Sequence, residues 1–132
     1  MTLSNLSIAN TAVSNQTIQQ IQVGVKEALE LVMGDSSPET LDEMSSIFLE
    51  DAIPLINQMK DGINSQNLQA TSMAAHALKG SSATIGLTVF ANACLAVETS
   101  SKAQDTAQAR QHLASLAANY TIVEQALKAF LL

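Results

Sequence analysis

The chain has one cysteine, no tryptophan, two prolines and five glycines in 132 residues. Each scarcity excludes something. Cys94 alone cannot form an internal disulfide. Aromatic residues are 3% of the total, so Leu, Ile, Val, Ala and Met must build the core. That palette favours helix packing over a sheet sandwich. With so few prolines and glycines, long helices with short connections are expected. Basic residues are also few, 6 against 12 acidic, giving a net charge of −6 and a pI near 4.6. This argues against a nucleic-acid partner, which would be gripped through Lys and Arg. The N-terminus lacks the basic start and apolar run of a signal peptide. No stretch approaches the roughly 20 apolar residues of a membrane span. A cytoplasmic protein with no membrane segment is the default expectation. There is no Gly-rich phosphate loop and no acidic metal cluster, so no nucleotide site and no cofactor or metal of its own is expected.

The hydrophobic content of 47% is that of an ordinary globular protein, and the length suits one domain. Residues 1–14 are rich in Ser, Asn and Thr and are expected as a flexible tail, with a bundle domain over 15–132. A first helix is predicted from about Gln16 to Met33, with Ile18, Ile21, Val25, Leu29 and Val32 at helical spacing and Gly34 as its stop. A second starts with Ser37 as cap, Pro38 in the first position and Glu39 against the dipole. Leu41, Met44, Phe48, Leu55 and Met59 trace its face. Pro54 should kink it without ending it, and Asp61-Gly62 should close it. The third runs from about Asn67 into Thr84, with Leu68, Thr71, Ala75, Leu78, Ser82 and Ile85 inward. Gly86 marks a turn into a fourth, Leu87 to Lys102, carrying Phe90, Cys94 and Val97. Asp105 caps a fifth that runs to the C-terminus on Leu113, Leu116, Tyr120, Val123, Leu127 and Phe130. The expected fold is all-α: an antiparallel up-down four-helix bundle with an additional N-terminal helix packed across it.

The third helix carries the chemistry. At about 100° per residue, His76 falls well away from the inward stripe. Gly80 lies one turn above it. Gln69 and Met73 share the outer face, and Ala77 and Ala83 flank it. Lys79 falls toward the boundary, three residues from the histidine and within its reach. A helix-interior glycine costs about 1 kcal/mol relative to alanine. Beside an exposed histidine, that cost makes sense if another protein must come close to the imidazole. Small and apolar neighbours would let it dock. Lys79 could offset the charge of a phosphoryl group on the ring, and imidazole is a competent nucleophile at neutral pH.

The run Ala75-His76-Ala77-Leu78-Lys79-Gly80-Ser81-Ser82, followed by Ile85-Gly86, resembles the signature of histidine phosphotransfer (HPt) domains. Phe48-Leu49 with Pro54-Leu55 is similar to the family's kinked second helix. Cys94 with Val97-Glu98 is similar to the spacing on the helix after the histidine. The resemblance covers roughly residues 39 to 131. Leu87 departs from the small residue usual after Gly86, and Lys102 to Arg110 is less basic than in many members.

The resemblance implies a phosphorelay intermediate with His76 as phosphoryl acceptor and Lys79 as charge stabiliser. Gln69, Met73, Ala77, Gly80 and Ala83 would form the docking face. Implied partners are response-regulator receiver domains and a histidine kinase, hybrid or otherwise. Mg²⁺ would arrive in the receiver. A receiver's aspartyl phosphate would meet Nε2 in line, and the reverse step would load another receiver. The chain would be a monomeric carrier and not a kinase. Two alternatives are a phosphodonor domain of a chemotaxis-type or hybrid kinase and a helical interaction module without transfer. The start at Met1 and the last helix running out at Leu132 favour a free-standing protein over the former. The presence of His76 argues against the latter. His112 lies outside any motif and reads as a boundary residue. Cys94 reads as core, and Ser81 and Ser82 as structural.

Overall fold

The computed structural model describes the backbone of residues 3–132 and the side chains from Ile18 onward. Five α-helices follow in order: α1 (Leu3–Met33), α2 (Pro38–Asn64), α3 (Leu68–Thr84), α4 (Thr88–Lys102) and α5 (Thr106–Lys128). Helix α3 packs between α2 and α4, and α5 between α4 and α2, which closes the four into a bundle. Helix α1 lies against α5. Its Gly24 and Ala28 also meet the α3–α4 turn, where a Cβ on Gly86 would come within 2.7 Å of Gly24 O and 2.5 Å of the Ala28 Cβ. Gly86 has φ of +79°. Both its conformation and the closeness of α1 therefore demand glycine.

Local chemistry explains where the helices begin. Ser37 Oγ accepts from Thr40 N, Asn67 Oδ1 from Ala70 N and Asp105 Oδ1 from Gln108 N. Each satisfies an amide the helix leaves without a partner. The three bundle joints share one design. Gln66, Gly86 and Gln104 take left-handed φ. The next residue then donates back into the finished helix: Asn67 N to Gly62 O, Leu87 N to Ser82 O and Asp105 N to Ser100 O. This is the Schellman closure. It turns the chain in very few residues, so neighbouring helices run antiparallel.

The inward stripe predicted for α3 is buried in full, as are Leu87, Phe90, Cys94 and Val97. Three of the four aromatic residues meet at the centre. The Phe90 ring lies 6.1 Å from Phe48, edge-on, and 6.0 Å from Tyr120. Helix α2 continues through Pro54, which is exposed.

The structure differs from the spacing argument in four places. Helix α1 begins at Leu3 and not near Gln16, so from Leu3 on, the backbone of the segment expected as a tail is helical. Ser, Asn and Thr are weak helix formers, but no Pro or Gly precedes Gly24 to stop propagation. Val32 was placed on the inward stripe yet is 65% exposed, like Leu31 and Met33; burial on α1 ends at Leu29, one turn earlier. Asp61-Gly62 does not end α2, which reaches Asn64. Gly62 is instead a buried seat for α3: a Cβ there would overlap Thr71 Oγ1 and lie 2.8 Å from Asn67 O. Helix α5 stops at Lys128, short of the C-terminus, and Leu132 N donates to Asp42 Oδ1.

Candidate functional site

Because Thr71, Ala75, Leu78 and Ser82 are buried against α2 and α4, α3 must present its opposite side to solvent. That side carries Gln69, Met73, His76, Ala77, Gly80 and Ala83, all exposed. The His76 side chain is 68% accessible, and nothing lies within 4 Å of a Cβ built on Gly80. Lys79 sits at the boundary, with 30% of its side chain accessible. The face is thus open, with small residues around one imidazole. Ser82 Oγ donates to Leu78 O and Ser81 Oγ to Ala77 O, which satisfies both hydroxyls within the helix. His112, on α5, is half-buried and away from this cluster. Grooves elsewhere are lined by other residues. One of about 230 Å³ lies between α2 and α5 at Lys60 and Arg110, and one of about 240 Å³ lies beside Gly86. A group reacting at His76 would have to be enclosed by whatever docks there.

The residue that organises the site is Glu98 of α4. Its side chain is only 4% accessible. Oε1 accepts from Lys79 Nζ at 2.7 Å. Oε2 lies 2.9 Å from His76 Nδ1 and 3.1 Å from Lys102 Nζ. Hydrogen bonding from Lys79 is the main cause that pulls the carboxyl down to about 2, against the opposing effect of burial; Lys102 and His76 add to the pull. Glu98 is therefore a carboxylate at any physiological pH and can only accept. Nδ1 must carry the hydrogen, and in the neutral ring the lone pair then resides on Nε2.

Sequence reasoning brought out His76, Lys79 and Gly80 but gave Glu98 only a place in a spacing and Lys102 none. A signal was present. Glu98 follows Val97 and stands one turn after Cys94, on a face otherwise apolar or small. A carboxylate there needs cationic partners. Lys102 is at i+4, the spacing for such a pair on one helix.

Among the described residues, no helix is long and apolar enough to cross a membrane. Searches of curated proteins and of solved structures return no match. A family model described as Hpt domain matches residues 43–129. That span holds all four bundle helices apart from the first turn of α2, together with the histidine and its carboxylate. With an exposed, carboxylate-oriented histidine on the third helix of an antiparallel bundle, the chain belongs to the Hpt domain family, the helical carriers of histidine phosphotransfer in phosphorelay signalling.

Proposed function

We propose that this chain is a cytoplasmic phosphorelay intermediate. His76 accepts a phosphoryl group from the aspartyl phosphate of one receiver domain and passes it to a second. The observation that carries this reading is the pairing of exposed His76, through Nδ1, with the buried Glu98 carboxylate. In the neutral ring it leaves the lone pair on Nε2, on a side chain that is largely open to solvent. In the forward step the Nε2 lone pair attacks phosphorus, the P–N bond forms, and the bond from phosphorus to the bridging aspartyl carboxyl oxygen breaks, its electron pair staying on that oxygen. The receiver recovers its carboxylate. The ring becomes positive, and Glu98 at Nδ1 offsets that charge. Positioning and charge stabilisation supply the rate, as in other phosphoryl transfers.

Gln69, Met73, Ala77, Gly80 and Ala83 form the face on which the receiver sits. Met73, 66% exposed, gives it an adaptable apolar contact. Mg²⁺ comes with the receiver. Lys79 and Lys102 bring more positive charge than one carboxylate neutralises, which favours an incoming dianionic group. The chain is a carrier, and a kinase must load the first receiver.

The test is to incubate the protein with a phosphorylated receiver and, separately, with a histidine kinase catalytic domain and ATP. Rapid loading from the receiver, acid-labile and lost in His76→Gln but kept in His112→Gln, is the expected result. Loading from the kinase alone would assign the chain instead as a kinase phosphodonor domain. Phosphate retained on His76→Gln would overturn the acceptor.

A further inference from the structure

The two lysines at Glu98 are not equivalent. Lys79 Nζ has Oε1 to itself at 2.7 Å, and its side chain is mostly covered. Lys102 Nζ is 3.1 Å from Oε2, the oxygen that His76 Nδ1 already occupies, and its side chain is 66% accessible. If Lys79 left, Oε1 of a buried carboxylate would lose its partner, which is costly. If Lys102 left, Oε2 would keep the imidazole N–H, and no buried oxygen would be orphaned. The only titratable side chains on α3 and α4 are His76, Lys79, Cys94, Glu98 and Lys102, and the Cys94 thiol is buried. Among the described residues, Glu98 is the only carboxylate paired with His76 or with either lysine.

The geometry points to a division of labour: Lys102 on α4 is the cation that swings from Glu98 Oε2 onto the phosphoryl group of His76, while Lys79 stays as the anchor of Glu98. This rests on the proposed transfer at His76. It reverses the expectation that the lysine three residues after the histidine contacts the phosphoryl oxygens. On loading, the dianionic group at Nε2 becomes the strongest acceptor near a flexible, solvated ammonium. The vacated lone pairs of Oε2 then serve Nδ1–H alone, when the phosphorylated ring most needs a partner. Unloading returns Lys102 to Glu98.

The experiment loads the full chain with phosphoramidate, a small-molecule phosphoryl donor, and follows the lysine Nζ and imidazole ¹⁵N signals by NMR. Rates of transfer from a phosphorylated receiver are measured in parallel. The expected result is that the Lys102 Nζ signal moves on loading and the Lys79 signal does not. Lys102→Met should slow transfer about tenfold, the worth of one charge-assisted hydrogen bond. Its unloaded imidazole ¹⁵N pattern and melting temperature should stay those of the wild type, and Lys102→Arg should recover most of the rate. Lys79→Met should disturb the imidazole pattern before any phosphate is added. A loaded protein in which Lys79 moves and Lys102 does not, or a Lys102→Met variant with the wild-type rate, overturns the division of labour and leaves the proposed function standing. Wild type that takes up no phosphoryl group from either donor overturns both.

Discussion

Gly80 gives the sharpest test of the docking face, because stability and transfer should move in opposite directions. Nothing lies within 4 Å of a Cβ at this position, its φ is not left-handed, and it sits inside α3. Replacing it by Gln adds a helix-favouring side chain in open space, worth up to about 1 kcal/mol. A domain of this size loses about 0.3 kcal/mol/K at its midpoint, so the melting temperature should rise by roughly 3 °C. In the proposed receiver complex the same side chain would stand one turn from His76 and prop the receiver away from it. A displacement of about 1 Å from in-line geometry costs on the order of a hundredfold in rate. Gly80→Ala should give the same thermal gain with a smaller loss of rate. Gly62 supplies the contrast. Its Cβ would overlap Thr71 Oγ1 and press on Asn67 O and Thr71 N, mostly backbone that cannot yield. Gly62→Ala should therefore cost about 3 kcal/mol and roughly 10 °C. Rapid-quench transfer from a phosphorylated receiver, with calorimetric melts on all three variants, reads both quantities. A Gly80→Gln protein that transfers at the wild-type rate would refute the docking face. One that melts well below wild type would refute the solvent-facing assignment of residue 80.

Further outcomes follow from the same geometry. The Glu98 carboxyl is lowered from 4.5 to about 2; a lowered carboxylate stabilises the fold fully above its unfolded value and loses that contribution as pH falls between the two. Glu98→Gln should thus be on the order of 3 kcal/mol less stable near pH 7 and converge with wild type near pH 2. Parallel melting curves across that range would contradict the role given to Glu98. Cys94 is fully buried, and burial pushes its thiol up to about 12. An aromatic disulfide reagent at pH 8 should label it only on unfolding, and rapid labelling of native protein would be inconsistent with this packing. Leu113, Leu116, Tyr120, Val123 and Leu127 of α5 are all spent inside the bundle. Light scattering should therefore show a monomer; a stable dimer would mean that another face is sticky.

Much of this protein was determined by sequence alone. The 3.6-residue periodicity of Leu68 to Ile85 placed six residues inward and left His76 and Gly80 outside, because a helix has one rigid geometry and an inward stripe fixes every other position. The caps at Ser37 and Asp105 were legible because a short polar side chain before an apolar run is a local signal; that Asn67 caps α3 is seen only in the structure. The residues that the tertiary structure alone decided depend on a second helix. Gly62 looked like a stop, and only the approach of Thr71 shows it to be a seat. Val32 fits the stripe of α1, but the bundle against which α1 packs ends before it. Within α4 alone, Glu98 and Lys102 read only as an i,i+4 ion pair. What makes them part of the site is that α3 brings His76 and Lys79 to the same carboxylate across 22 and 19 residues of chain. Spacing along one helix cannot encode that meeting. It is set by how two helices cross, and by the cost of burying a carboxylate without the cations that satisfy it.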